Sequence, residues 1–350
     1  MSVEGQHTVG DDRPQGGTGH RGSADAHTPA RSVARTLGRL LGRTVATVLP
    51  VMIGVVVAVF FLLRLVPGDP AAMILGDRAT PAQLDRLREE MGLTLPLAEQ
   101  FGNFVWGIIT RFDTGDSLIT GVSTREAILA KAPISLGIVA LAVIFAVALT
   151  VPLALAAARN RGGFADQVVR IIPTIGMGMP TFWVGLLLII VFAVQLGWFP
   201  VGGVAPGPLG TLWSLVLPAA AVAISLVPPL VRSLRAQLLE VVDADFVTTL
   251  RAAGVPERTI LTRHILRGAA LPTIALFGVN VAYLIGGTLV VEKVFGIGGV
   301  GTLLFQSIGS RDFPVVQGIA LYCAIAVVLI TLAVDALATW IDPRLRGRQS

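Results

Sequence analysis

The segment from Asp243 to Pro272, DADFVTTLRAAGVPERTILTRHILRGAALP, cannot sit in the middle of a lipid bilayer, whereas nearly everything around it can. It holds four arginines, Arg251, Arg258, Arg263 and Arg267, and each costs about 2.5–3.5 kcal/mol at the centre of a spanning helix. On either side, apolar runs of about 20 residues alternate with polar connections, and that is the length a helix needs to cross the hydrocarbon core. Composition agrees. Of 350 residues 53% are hydrophobic and 14% charged, where soluble proteins carry about 25% charged residues. The chain reads as an all-α integral membrane protein whose charged segment stays on one side.

Taken in order, residues 1–43 form a polar, basic tail expected to be disordered, with Arg31, Arg35, Arg39 and Arg43 on one helical face before the first span. Six spans are expected. The first is Thr44–Val66, stopped by Pro67-Gly68-Asp69-Pro70, and an outer region over 67–133 follows it. The second is Ile134–Ala158. The third, Ile171–Leu196, is kinked by Pro173 and Pro180. The fourth, Leu212–Val231, is broken by Pro218 and Pro228-Pro229. The last two are Leu271–Val291 and Val315–Trp340, the latter followed by a tail over 342–350. Within the outer region, Pro81–Met91 reads as an amphipathic helix and Gly115-Asp116-Ser117 as a turn. Eighteen of the 27 Lys and Arg fall on the side of the N-terminus and eight on the other. That bias places both termini and the segment 232–270 in the cytoplasm.

Locally, the charged segment reads as helix, sharp turn, helix. Asp243 or Asp245 is a candidate N-cap for a short helix carrying Phe246, Val247 and Leu250. Gly254 suits the left-handed position that ends such a helix, and Pro256 the first turn of the next.

Several classes are disfavoured. The net charge of +5 belongs to loops beside apolar spans, so it is not a nucleic-acid footprint. One cysteine, Cys323, and four scattered histidines predict neither a disulfide framework nor a metal site. Ionisable residues are nearly absent from the spans, with Asp335 near the end of the last one, which argues against an ion-coupled carrier. No G-x-x-x-x-G-K-[ST] loop is present, so energy for transport has to come from another polypeptide.

A set of motifs, in order and at consistent spacing, resembles the inner-membrane permease subunits of ATP-binding-cassette importers of the peptide/nickel group, first-permease type. They are Pro67-Gly68-Asp69-Pro70, Met91 to Leu97, Pro180 to Gly185, Gly197-Trp198-Phe199-Pro200, Val291 to Phe295 and Arg311 to Gly318. The charged segment adds Asp245-Phe246-Val247, Arg251-Ala252-Ala253-Gly254 and Arg263 to Arg267. Thr248, Gly268 and Gly298 depart from that group's usual residues.

The resemblance implies a type I importer permease fold, with a transmembrane permease core over 133–341 and a coupling loop over 232–270. It implies that Asp245, Phe246, Val247, Thr248, Leu250, Arg251, Ala252, Ala253, Gly254 and Arg258 meet the ATPase, and that the chain is a transport subunit and not an enzyme. The implied partners are a homologous second permease, two cytoplasmic ATPases that bind the ATP and magnesium, an extracytoplasmic substrate-binding protein and the lipid bilayer, with no cofactor on this chain. Gln195, Ser225, Asn280, Tyr283 and Thr288 are candidates for the substrate path. Dipeptides, oligopeptides and nickel chelates remain open as cargo, and an ATPase-independent carrier is the alternative of a different class. Asp69 and Glu292 are read as outer-face structure or contacts to the binding protein, or equally as solvated loop and cap residues.

Overall fold

Residues 48–61, 68–76, 79–176 and 178–341 are described by a computed structural model. The termini expected over 1–43 and 342–350, and the ends of the first expected span, lie outside the described residues. The described chain is helical, with one isolated antiparallel bridge between Asp116 and Ser123. In order, the helices are α1 (Val48–Phe61), α2 (Pro70–Leu75), α3 (Pro81–Glu90), α4 (Leu97–Arg111), α5 (Thr124–Arg159), α6 (Phe164–Gly176) and α7 (Thr181–Leu188), which runs on as a π-helix over Ile189–Gln195. Then come α8 (Gly207–Val242), α9 (Asp245–Ala252), α10 (Glu257–Thr259), a π-helical stretch Ile260–Ile265, α11 (Leu266–Val294), α12 (Val300–Gly309) and α13 (Phe313–Ile341).

Four of these are long and apolar enough to cross a membrane: α5, α8, Pro272–Val294 of α11 and Phe313–Ala338 of α13. The remaining apolar helices, Val48–Phe61, Thr181–Gln195 and Val300–Gly309, are shorter. α5 starts earlier than expected, at Thr124, so its first turns belong to what reads in sequence as the outer region.

Helix α8 is the centre of the bundle. α5, α6, α7 and α11 all pack on it, and Ala219, Ala221, Val222 and Ala223 are fully enclosed. Small side chains at such contacts let helix backbones approach closely, which is how helices associate where lipid offers no hydrophobic drive. The expected break at Pro218 and Pro228-Pro229 does not occur, because all three prolines lie inside one uninterrupted helix. Each proline removes a backbone hydrogen bond. In a spanning helix, however, neighbouring helices and local adjustments compensate, and α8 is the most enclosed of the four long helices. The third expected span behaves the other way. α6 ends at Gly176 and α7 begins after Pro180, which is extended (φ −60°, ψ 135°).

The outer region is built on α1 and α13. Phe60 of α1 meets the rings of Phe101 and Phe104 of α4 at centroid distances of 5.0 and 5.5 Å. α3 begins with a capping box in which the backbone N–H groups of Thr80 and Gln83 donate to each other's side chains. α13 reaches this layer through Gly318, where a Cβ would come within 2.2 Å of Thr124 Cγ2 and 2.8 Å of Thr114 Oγ1. Overpacking of that kind costs about 1–3 kcal/mol. Gly318→Ala is therefore expected to lower the thermal midpoint of the detergent-solubilised chain, and a midpoint equal to wild type would show that this contact yields freely.

Candidate functional site

The charged segment folds as one compact element whose geometry follows from local chemistry. α8 ends at Asp243, and α9 starts after Ala244, which is extended (φ −73°, ψ 143°) and makes no side-chain cap. Neither aspartate is therefore the N-cap: Asp243 closes α8, and Asp245 is the first residue of α9. A carboxylate in a helix's first turn is still favourable against the helix dipole.

The C-terminus of α9 is a Schellman motif. Val255 N–H donates to Leu250 O (3.1 Å) and Gly254 N–H to Arg251 O (3.0 Å), with Gly254 at φ +74° in the region glycine enters without a Cβ penalty. Leu250 and Val255 pack against the same core cluster, the apolar contact that accompanies this turn. Pro256 is the N-cap of α10 and lies one residue before its first turn. Arg251 straddles the turn, its Nε and Nη2 donating to the two carboxylate oxygens of Glu257 at 3.1 and 2.7 Å. That guanidinium holds the Glu257 carboxyl below its ordinary value.

Two faces of α9 separate. Val247 is completely buried, enclosed with Ile260 and Ile265 against Ala154 and Ala157 of α5, Val169 of α6, and Leu234 and Leu238 of α8. Phe246 is 47% exposed, and Asp245, Thr248, Thr249, Arg251, Ala252, Ala253, Gly254 and Arg258 are exposed. Of the three apolar residues assigned to one contact, Val247 belongs to the chain's own core, Leu250 is half-buried beside it and Phe246 faces outward.

The element is tied to the bundle by contacts the sequence did not single out. Asp166 of α6 is 2% exposed and accepts from Arg235 Nε of α8 and from Gly162 N–H (3.1 Å). Arg161 donates to Asp243 Oδ2 (2.7 Å) and to Leu239 O (3.2 Å) at the end of α8. The α5–α6 turn is thus latched onto the part of α8 that leads into α9.

On the opposite side, Asp312 is buried and accepts from Ser117 Oγ and from Leu118 N–H (3.0 Å), while Thr114 Oγ1 donates to Pro314 O (2.8 Å). The Arg311 to Gly318 motif therefore clamps the 113–123 loop onto the start of α13. Glu292, fully enclosed, accepts from Gly301 N–H (2.7 Å) and caps α12, while Ser135 Oγ of α5 accepts from Val300 N–H (2.9 Å). Asp69 accepts from Ala71 N–H at the start of α2 and from Arg88 Nε and Nη2 of α3 (2.8 and 2.6 Å). Both acidic residues are structural here, and Glu292 has no surface to offer a partner.

The five path candidates are not brought together. Ser225 Oγ accepts from Thr181 Oγ1 (3.3 Å) and donates to Val222 O (2.7 Å). Asn280 donates to Leu276 O (2.7 Å) and Thr288, buried, to Ile285 O (3.1 Å). Gln195 is exposed at the end of the π-helical stretch, and Tyr283 is 78% exposed on α11. None of them lines the cleft of about 530 Å³ in the outer region, which is walled by Phe60, Asn103, Arg111, Asp113 and Gln317 among others.

Comparison with known proteins shows what kind of chain this is. Residues 150–347 match the family described as binding-protein-dependent transport system inner membrane component, and residues 37–121 match that family's N-terminal membrane component. The chain belongs to this family. It is 38% identical over 293 residues to a Brucella abortus (strain 2308) protein that carries the name of a peptide transport system permease protein, covering 83% of this chain and 93% of that one. It is 33% identical over 291 residues to the glutathione transport system permease protein GsiC of Pectobacterium atrosepticum, again covering 83% and 93%. Among solved structures, the MetNI methionine ABC transporter in inward-facing conformations aligns with a TM-score of 0.51 at 17% identity, covering 61% of this chain and 96% of that chain. The fold is that of ABC importer permeases, and the chain is a multi-pass inner-membrane transport subunit, not an enzyme. Such a permease works with an ATPase and a binding protein.

The latch has a defined pH response. Arg235 chiefly holds the Asp166 carboxyl below its ordinary value of 3.8. The contribution to stability is therefore present above the unfolded-state value and lost only as pH falls through the depressed folded value. Removing one partner of a buried pair costs about 3–5 kcal/mol. Asp166→Asn is expected to lower the thermal midpoint at pH 7 and to abolish the part of the acid-induced loss below pH 4 that this pair contributes. A variant with an unchanged midpoint and acid profile would remove the latch from the account.

Proposed function

We propose that this permease subunit imports short peptides, from dipeptides upward, through a path it forms with a homologous second permease. The observation that carries the reading is similarity along most of the chain, at 33–38% identity, to permeases named for peptide and for glutathione transport. Glutathione is itself a small peptide, so the two names share one cargo chemistry. A nickel chelate or another small solute is the alternative within the same group, and an ATPase-independent carrier is the alternative outside it.

In this reading six spans place both termini and residues 232–270 in the cytoplasm. Two ATPases bind the ATP and magnesium, and this chain binds no cofactor. α9 seats its outward row, Phe246, Thr248, Thr249, Arg251 and Ala252, on an ATPase. The exposed α11 face bearing Tyr283 turns toward the second permease, and the binding protein delivers cargo from outside. Closure of the ATPases then shifts the transporter between two states, and a loaded binding protein biases the same equilibrium from the other side.

Uptake into liposomes holding the assembled complex tests this, with ATP inside and binding protein outside. Competition of a labelled dipeptide by unlabelled dipeptides and glutathione is expected. Competition by a nickel chelate alone would reassign the cargo, and uptake by this chain without ATPases would favour the carrier. The coupling element has its own test. A Cβ at Gly254 meets no atom within 4 Å, so a substitution there acts through backbone strain, about 1–2 kcal/mol for a non-glycine residue in the left-handed region. Gly254→Val is expected to insert normally but lose ATPase co-purification several-fold, while Gly254→Asn, which tolerates that conformation, retains it. Equal ATPase recovery from both would remove α9 from the coupling role.

A further inference from the structure

Helix α4 carries more apolar surface than the protein covers. At 100° per residue, Phe101, Phe104, Val105 and Ile108 fall on one side, where Phe101 and Phe104 meet Phe60 of α1. The apolar arc continues past that contact to Ile109 (65% exposed) and ends at Trp106 (67%), which borders the polar side, and Phe112 (63%) extends it at the helix end. Glu99, Asn103 and Thr110 form the polar side. Phe112 closes the helix in the left-handed conformation (φ 51°), a position glycine ordinarily fills and one a bulky residue occupies at a cost.

Depth is set by two contacts with α13. Gln317 Nε2 donates to Val59 O of α1 (3.3 Å), so the Phe60 contact lies level with the first turns of a helix long enough to span the bilayer. Tyr322 lies deeper, about 13 Å along the helix from Phe313, and its hydroxyl donates to Phe112 O (2.7 Å). The C-terminal end of α4 is thus held below the outer end of a spanning helix. The neighbouring α1, which meets α4 through Phe60, presents its own exposed apolar row, Ile53, Val57 and Phe61.

We propose that α4 lies in the outer leaflet at the boundary between headgroups and acyl chains, with Trp106, Ile109 and Phe112 in lipid. A helix with one polar and one apolar face, the latter carrying tryptophan, takes this position. The outer region is then anchored to the membrane at α4.

The test uses the full chain in the assembled transporter, reconstituted in phosphatidylcholine–phosphatidylglycerol liposomes, with Cys323→Ala as background. Nitroxide labels on Ile109→Cys, Phe112→Cys and Asn103→Cys are compared for collision with oxygen and with a water-soluble nickel complex. Several-fold higher oxygen-to-nickel ratios at 109 and 112 than at 103 are expected. Ratios equal to that at 103 would overturn the proposal, and so would shielding from both reagents, which would mean that protein covers the face. If shielding appears only when binding protein is added, that protein is the occupant. A label-free control compares the chain with Trp106→Phe in liposomes brominated just below the headgroup. The lipid-quenched part of the emission is expected to fall in the variant, and no change would count against the proposal.

Discussion

Everything in this permease rests on the close packing of small side chains around α8. Lipid surrounds the bundle with material as apolar as leucine, so burial alone cannot hold spanning helices together, and contact at short range has to. Ala219, Ala221, Val222 and Ala223 are enclosed because α5, α7 and α11 come near enough to leave no space. The same helix then leaves the apolar region and continues to Val242, where a second cluster takes over with Leu234, Leu238, Val247 and Ile260. One element therefore belongs both to the spanning bundle and to the platform that carries α9.

That continuity gives the charged segment its mechanical character. α9 is short, and an isolated helix of that length does not persist in water. It is held by Val247 inside the core, by the Schellman turn at Gly254 and by Arg251 reaching across to Glu257. Arg235 with Asp166 and Arg161 with Asp243 fasten the α5–α6 turn to the same end of α8. A displacement imposed on α9 reaches α5, α6 and α8 together, because no loose connection intervenes that would absorb it.

How much of this was readable from the sequence depended on the range of the interaction. The turn at Gly254 was legible because a glycine between a helical pattern and a proline has few other uses. The apolar spans were legible because hydrocarbon imposes one length. The inward turn of Val247 was not: Phe246, Val247 and Leu250 all lie near one another on a short helix, and only the position of α5 and α8 decides which is buried. Asp312 and Glu292 stood inside recognisable motifs, yet their work was hidden, since Ser117 lies 195 residues from Asp312 and a buried carboxylate reads the same as a surface one. The latch residues Asp166 and Arg235 carried no signal at all. The prolines of α8 misled, because local propensity predicts a break and tertiary packing overrules it. Among the described residues no hydrogen bond joins the path candidates to one another, so nothing local singled them out.

The unbroken course of α8 through Pro228 and Pro229 has a consequence for the interior of the membrane. Neither residue has an N–H, so the carbonyl oxygens of Ile224 and Ser225 lose their usual donors one turn further along. These two oxygens sit on consecutive residues, beside the Ser225 hydroxyl and Thr181. Part of the polarity available there comes from the main chain itself. A substitution table of side chains would miss it, and a change of proline to alanine would erase it without touching any group that looks functional.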